Sequence, residues 1–348
     1  MPRISTVLIG CGGRGVKALA ACAKKSQKLE LLAVCDLDEA RLSAAAAELG
    51  VPAEKDHRKL LARADVQSAI IATNAKWHVP IALEWVRAGK PVFVEKPLGV
   101  SAAQCREMVE AAEGARVAGL VGYQARFSDF VVALKREVAQ IEPFQAVFNL
   151  QRGPMGPQYF FADHYGGIVD TTTHTIHMAL HVMGGAPDAV FASVQRGMTK
   201  VVGPPPGDQT IEAFTLVIEY DGGKRSVVVP SSMHAVQMPN FVQVIGRKGS
   251  LFSLDRKAIK VIAHQGFEGL GPSAKPINPE QREIACQAEG AQATADMIEH
   301  FADLASGAAK EYRGCTLREG MYAVAVTEAM VKSAAEGRRV GMKEIWGA

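Results

Sequence analysis

The chain has few of the residues that mark a disulfide-rich or membrane-spanning protein. Its 348 residues include only six cysteines, and no two of them form a C-x-x-C pair. A disulfide scaffold or a zinc site of common spacing is therefore not expected. No run approaches the ~18 apolar residues of a membrane helix, and no apolar run follows a basic N-terminus as in a secretory leader. We expect a cytoplasmic protein with reduced thiols and no membrane partner.

The chain also lacks a strong charge of either sign. The formal net charge is +3, and no block of Lys or Arg stands out, so nucleic acid is not an expected partner. A hydrophobic share of 48% and a charged share of 22% are ordinary for a globular protein. The length favours about two domains.

A glycine-rich turn near the start is the most informative stretch. Residues 4–9 form an apolar run typical of a buried strand, and a helical pattern begins beyond Arg14. Gly10, Gly12 and Gly15 have the G-x-G-x-x-G spacing of a dinucleotide-binding turn, in which glycine permits a tight turn, close approach to a pyrophosphate and close helix packing. The helix N-terminus would point free N–H groups at the phosphates. We predict that the cofactor contacts Gly10, Gly12, Gly13, Arg14 and Gly15.

An acidic residue stands where such a site needs one. The apolar run 29–35 ends at Asp36, 21 positions after Gly15, about the distance required for a ribose contact. A carboxylate accepts hydrogen bonds from a ribose diol but repels a 2′-phosphate. Leu37 and Asp38 offer no cation for such a phosphate, which favours NAD over NADP, although Arg41 weakens this preference.

The arrangement of strand-like and helix-like runs predicts an α/β protein with two domains. From residue 1 to 122 they alternate, which indicates a doubly wound Rossmann domain with a parallel sheet. From 123 to 348 we expect an α+β domain with a largely antiparallel sheet. Its last helix is a candidate to pack back on the first domain. The segment 265–280, rich in Gly and Pro, is predicted to be a loop.

Two further turns after predicted strands carry polar groups. Thr73, Asn74 and His78 follow the strand at 67–72 and are candidate cofactor contacts, with the alternative that Asn74 only caps the next helix. Glu95 and Lys96 follow the strand at 91–94 and are also assigned to the cofactor site. The Lys96 ammonium could bind a substrate oxygen or transfer a proton. Taken alone, a lysine after a strand is more often a solvated charge.

A helical stripe of histidines forms the third candidate cluster. Asp170, His174, His177 and His181 recur at i, i+4, i+7 and i+11, which places them on one helix face. Asp170 could polarise His174, which would then accept a proton from a hydroxyl. A metal site is the rival interpretation, and buried hydrogen-bonded histidines are the structural one. We predict no metal.

Together these motifs resemble the Gfo/Idh/MocA family of glucose–fructose oxidoreductase, inositol dehydrogenase and rhizopine catabolism proteins. The resemblance rests on the glycine turn, Asp36, Glu95-Lys96-Pro97, Tyr123-Gln124-x-Arg126 and Gly166-Gly167-x-x-Asp170-x-x-x-His174. It implies an NAD(P)-binding Rossmann domain and, at 123–348, a domain for substrate binding and oligomerisation whose open sheet forms dimer or tetramer contacts. It also implies Lys96, Asp170 and His174 as catalytic residues. His177 departs from the family pattern, because many members have an aspartate there that meets substrate hydroxyls.

The hypothesis is reversible hydride transfer between NAD and a secondary alcohol of a sugar, cyclitol or related polyhydroxy substrate. His174 would remove the hydroxyl proton and Lys96 would hold the oxygen, or the two would exchange roles. An NAD-assisted glycoside hydrolase or eliminase and a non-catalytic NAD(H) sensor are the alternatives. Predicted substrate contacts are Lys96, Tyr123, Arg126, Arg152, Tyr159, His164, Asp170, His174 and His177.

Overall fold

A computed structural model describes residues 3–151, 167–196, 211–231, 238–269, 271–287 and 291–346. The chain divides into two compact units. The first consists of Met1–Phe127 with Gly290–Val324, and the second of Ser128–Glu289 with Ala325–Ala348.

The first unit is built on a seven-stranded sheet. Its strands are β1 (Ile4–Ile9), β2 (Leu29–Cys35), β3 (Ala53–Glu54), β4 (Ser68–Ile71), β5 (Val92–Val94), β6 (Gly119–Val121) and β17 (Cys315–Thr316). They lie in the order β17-β6-β5-β4-β1-β2-β3, and all neighbouring pairs are parallel except β17 with β6. The helices are α1 (a π-helical part Gly15–Ala20 continued by Ala21–Lys25), α2 (Glu39–Leu49), α3 (His57–Leu61), α4 (Ala75–Arg87), α5 (Ala102–Ala115) and α8 (Ala291–Ala305), with a 3₁₀ turn at Gln124–Phe127.

The central strands of this sheet are covered on both faces. Leu8, Ile70 and Phe93 on one face are fully buried, and so are Val7, Ala69 and Val92 on the other, as the continuous apolar runs of parallel strands require. Helix α8 contributes to this core, where the ring of Phe301 meets that of Phe93 edge-on at 5.9 Å between centroids. The first unit therefore completes its core with a helix from the C-terminal part of the chain.

The second unit contains a nine-stranded sheet. The strands are β7 (Pro143–Gln151), β8 (Pro187–Arg196), β9 (Ile211–Tyr220), β10 (Arg225–Ser231), β11 (Phe241–Gly246), β12 (Gly249–Leu254), β13 (Ala258–Ala263), β16 (Glu280–Ala285) and β18 (Val340–Gly341). They lie in the order β16-β13-β12-β11-β7-β10-β9-β8-β18, and only β7 and β10 are parallel neighbours. The helices are α6 (Asp129–Gln140), α7 (Gly167–Met183) and α10 (Lys343–Trp346), while α9 (Leu317–Glu336) begins in the first unit and ends in the second.

One face of this sheet is buried and the other is open. Residues with their side chains on the first face, such as Phe148, Leu216 and Val228, are buried, and α7 packs against β7, β9 and β10. Their neighbours along each strand, such as Val147 and Val227, are only partly buried. This alternation is expected for an antiparallel sheet with one covered face.

The predicted fold class is confirmed, and one segment differs from its prediction. Residues 265–280 are not a plain loop, because β14 (Phe267–Glu268) pairs with β15 (Lys275–Pro276) and β16 begins at Glu280. Strand β16 pairs with β13 at the sheet edge, and its side chains are exposed or half-buried. An edge strand with polar residues gives little apolar periodicity, so the sequence pattern did not indicate it. Within the described part of the chain, no helix is long and apolar enough to cross a membrane.

Candidate active site

The glycines of the turn after β1 have separable structural roles. Gly10 has φ +103°, and a Cβ there would lie 2.5 Å from the carbonyl carbon and oxygen of Ala72. A Cβ on Gly15 would lie 2.3 Å from the carbonyl oxygen of Gly10. At Gly12 and Gly13 a Cβ would meet no atom within 4 Å. The fold itself therefore requires Gly10 and Gly15, whereas the space beside Gly12 is open for a ligand.

A cleft of about 780 Å³ opens at the carboxyl ends of β1, β2 and β4. This is where ligands bind in doubly wound sheets. The predicted cofactor residues that line the cleft are Gly10, Gly12, Asp36, Thr73 and Asn74. The open side of Gly12 and the row of strand-end polar groups fit a dinucleotide. NAD would lie in this cleft with its pyrophosphate along the glycine turn.

Asp36 is held in place by the backbone. One carboxylate oxygen accepts the N–H of Cys11 at 2.7 Å, and the other accepts the N–H of Asp38 at 2.9 Å. These two bonds fix the carboxylate at the end of β2, and each oxygen keeps a further lone pair for another donor. The group is therefore pre-oriented to accept hydrogen bonds from a ribose diol.

The cations around this part of the cleft are paired with carboxylates. Arg41 forms an ion pair with Asp38 at 3.2 Å, and Arg58 forms one with Glu84 at 2.8 Å. All four residues line the cleft. The pairs are largely exposed, so each contributes little to stability. Neither guanidinium is therefore an unpaired positive charge that could attract the 2′-phosphate of NADP.

The rim of the cleft carries large apolar side chains. Leu37 is 85% exposed and Trp77 is 50% exposed, and Ile81 and His57 line the same cleft. Such surfaces suit a flat heteroaromatic base. Burial lowers the pKa of His57, so its ring is neutral near pH 7. His57 and Ile81 were not predicted as site residues, because no motif marks them and only the fold brings them to the cleft.

Asn74, in the turn after β4, both caps a helix and lines the cleft. The Asn74 side chain accepts the N–H of Lys76 at 3.2 Å and caps α4, while Asn74 also lines the cleft.

His78 is buried, and its ring nitrogens lie 2.7 Å from the carbonyl oxygen of Pro97 and 3.0 Å from that of Thr73. Burial lowers the pKa of His78. From this buried position His78 connects the turn after β4 to the turn after β5.

Glu95 and Lys96 follow β5 directly. The Glu95 side chain is buried, and its carboxylate accepts hydrogen bonds from Arg14 Nε at 2.8 Å and from the Lys96 backbone N–H at 2.9 Å. Arg14 also contacts Gln124 Oε1 at 3.3 Å. The structure therefore brings three predicted cofactor residues into direct contact.

Two predicted substrate residues are buried in the first unit. Tyr123 is 1% exposed. The guanidinium of Arg126 donates to Glu319 at 2.6 Å, and Glu319 also accepts the N–H and hydroxyl of Thr316. This ion pair lies at the start of α9 and occupies Arg126 inside the unit.

The histidine stripe lies on α7 as predicted. Asp170 belongs to this helix, His174 is half-buried, and His177 is buried with its ring parallel to that of His181 at 6.2 Å between centroids. Arg152, Tyr159 and His164 lie outside the described residues. Among the side chains that the structure describes, no three His, Cys, Asp or Glu residues are grouped as metal ligands.

Comparison with known proteins identifies the family. One family model, an oxidoreductase family with an NAD-binding Rossmann fold, matches residues 4–123, and the C-terminal α/β domain of that family matches residues 148–342. The chain belongs to the Gfo/Idh/MocA oxidoreductase family. The resemblance inferred from the motifs is confirmed, and with it the oxidoreductase class and the NAD cofactor.

Relatives within the Gfo/Idh/MocA family match nearly the whole chain. An inositol 2-dehydrogenase of Rhizobium meliloti is 25% identical over 339 residues, covering 96% of this chain and 98% of that protein. An inositol 2-dehydrogenase of Saccharopolyspora erythraea is 28% identical over 337 residues, covering 95% and 93%. A solved oxidoreductase from Agrobacterium radiobacter, in complex with NAD+, L-tartaric acid and magnesium, has the same fold with a TM-score of 0.80, 20% identity and 99% coverage of both chains.

Proposed function

We propose that this protein is an NAD-dependent dehydrogenase acting on a secondary alcohol of a cyclitol, sugar or related polyhydroxy compound. The observation that carries the proposal is the match over nearly the whole length to two inositol 2-dehydrogenases. It is supported by the cleft in which Asp36 is fixed by two backbone N–H groups.

The catalytic residues in this proposal are Lys96, Asp170 and His174. NAD, when bound, supplies the hydride acceptor. His174 takes the proton of the substrate hydroxyl, and Asp170 orients the imidazole and stabilises its charged form. Lys96 donates a hydrogen bond to the oxygen on which negative charge develops. The residues are equally compatible with Lys96 as the acid/base and His174 as the hydrogen-bond donor.

The cofactor set is Gly10, Gly12, Gly13, Arg14, Gly15, Asp36, Thr73, Asn74, His78, Glu95 and Lys96. Within it, His78 and Glu95 act from buried positions. For the substrate we propose contacts from Arg152, Tyr159, His164 and His177 in addition to the catalytic residues. Tyr123 and Arg126 are also proposed as contacts; like His177 they are buried, and Arg126 is paired with Glu319.

We propose that residues 1–122 serve the cofactor and residues 123–348 serve substrate binding and oligomerisation. The open sheet face supports a homodimer or homotetramer. A row of directly paired residues crosses it, comprising Phe191, Val217, Val227, Val147, Gln243 and Phe252. Both phenylalanines of this row are more than 40% exposed, and an exposed apolar surface of this kind suits a second copy. A cytoplasmic location is supported by the six free thiols.

The proposal is tested with purified protein, NAD and a panel of cyclitols and sugars. Formation of NADH with one equivalent of ketone is expected for at least one compound. Lys96→Met and His174→Asn should each lower turnover by orders of magnitude while NAD still binds. Lys17→Met, an exposed cation on α1, is the control. Release of an aglycone without net NADH would support the hydrolase or eliminase, and NAD binding without any turnover would support the sensor.

A further inference from the structure

A buried carboxylate connects the glycine turn to the lysine after β5. Glu95 is only 6% exposed. One of its oxygens accepts from Arg14 Nε at 2.8 Å, and the other accepts from the backbone N–H of Lys96 at 2.9 Å. Both contacts involve full or partial charge, so they are stronger than neutral hydrogen bonds.

The position of this carboxylate is determined by the backbone around it. The N–H of Glu95 donates to the carbonyl oxygen of Ile71 at 2.8 Å, which continues the ladder between β5 and β4. A Cβ on Gly122 would lie 3.0 Å from the carboxyl carbon and Oε1 of Glu95. Glycine at 122 thus provides the room in which the carboxylate lies, and a larger residue would push it aside.

A buried carboxylate needs a counter-charge, and Arg14 provides one. Arg14 stands in the glycine turn, immediately before the π-helical start of α1. Its guanidinium reaches Glu95 and, at 3.3 Å, Gln124 Oε1. Its side chain is 39% exposed, whereas that of Glu95 is 8% exposed. The arginine therefore keeps part of its hydration, while the carboxylate depends on the pair.

We propose that Arg14 is a positioning residue for Lys96. Through Glu95 it fixes the backbone N–H of Lys96, and so it couples the turn that takes the NAD pyrophosphate to the residue that handles the substrate oxygen. The proposal rests on the proposed catalytic role of Lys96. Within the cofactor set this places the Arg14 guanidinium on Glu95 and leaves the backbone of the glycine turn to meet the pyrophosphate.

Loss of the Arg14 charge has a defined consequence. The Glu95 carboxylate then loses the partner that holds it in this orientation, and its bond to the Lys96 N–H weakens. We expect Arg14→Met to lower kcat about 10- to 100-fold, with a much smaller change in the Kd for NAD.

The first measurement is amide hydrogen exchange of Lys96 in the nucleotide-free protein. It is compared among wild type, Arg14→Met and Lys17→Met, an exposed cation on the same helix. Exchange at Lys96 should be at least tenfold faster in Arg14→Met and unchanged in Lys17→Met. Unchanged exchange in Arg14→Met would overturn the proposal. Arg14→Lys, which retains the charge but not the planar fork, should be intermediate and covers the case in which Arg14→Met does not fold.

The second measurement is a double-mutant cycle with Glu95→Gln. Because the neutral amide introduced by Glu95→Gln needs no counter-charge, combining it with Arg14→Met should lower kcat by less than the sum of the two single changes. If the two changes lower kcat additively, Arg14 does not act on Lys96 through Glu95 and the proposal is refuted. It is also refuted if Arg14→Met lowers NAD affinity as much as it lowers kcat, because Arg14 would then act on the cofactor. If Lys96→Met keeps normal turnover, the proposed catalytic role of Lys96 fails, while exchange at the Lys96 amide still tests the link itself.

Discussion

The different roles of the glycines in the turn after β1 can be separated by alanine substitution. In Gly15→Ala the new Cβ would lie 2.3 Å from the backbone oxygen of Gly10, which cannot move without disturbing β1. Overpacking of this kind costs about 1–3 kcal/mol or more. For a domain of this size, each kcal/mol shifts the melting temperature by about 2–4 °C. We therefore expect the first unit of Gly15→Ala to melt roughly 2–12 °C lower.

Gly12→Ala should behave in the opposite way. Its Cβ meets nothing within 4 Å, and its φ is not in the positive region. The stability of the nucleotide-free protein should change by less than about 1 kcal/mol. The methyl group would occupy the space proposed for the pyrophosphate, so NAD should bind at least tenfold more weakly, a loss of about 1.4 kcal/mol or more.

Calorimetric melting without nucleotide and isothermal titration with NAD measure both quantities on the same samples. If Gly12→Ala binds NAD as tightly as the wild type, the nucleotide does not lie along this turn. If Gly15→Ala melts at the wild-type temperature, the close approach of α1 to β1 is not as the structure describes.

Three further perturbations test the electrostatics of the first unit. Asp36→Ala should weaken the binding of NAD at least tenfold and lower the ratio of NAD affinity to NADP affinity, both measured by titration. An unchanged ratio would show that Asp36 does not contact the ribose. Asp38→Ser retains a side chain that can cap α2 but frees Arg41, so NADP should bind severalfold more tightly, and adding Arg41→Ser should cancel the gain. His300 accepts the N–H of Arg313 at 3.0 Å, and burial lowers the pKa of His300. The neutral imidazole therefore stabilises the fold above the unfolded pKa of about 6.5, and this contribution is lost as pH falls through the folded pKa. His300→Gln should flatten the dependence of melting temperature on pH in this range, and an equally steep dependence would contradict the assignment.

The parts of the site that were predictable depend on local chemistry. The glycine spacing, the apolar strand before it and Asp36 at the next strand end are all expressed within 36 residues of sequence, and the structure brings them to one cleft. The helical stripe of histidines is also local, since a period of 3.6 residues is enough to place its members on α7.

The parts that were not predictable depend on partners far apart in the chain. Arg14 meets Glu95 across 81 positions, and Arg126 meets Glu319 across 193. No spacing rule connects such residues, so neither ion pair could be predicted from the sequence. His57 reaches the cleft only because β3, which directly precedes α3, pairs with β2.

The central claim is that NAD accepts a hydride from a carbon of a polyhydroxy substrate on this protein. The most direct test incubates the protein and NAD with myo-inositol and related polyols that carry deuterium on their carbinol carbons. The account predicts deuterated NADH and an equal amount of ketone from at least one of them. It is contradicted if no compound transfers deuterium to the nicotinamide, or if the substrate is cleaved while NAD is recovered unchanged.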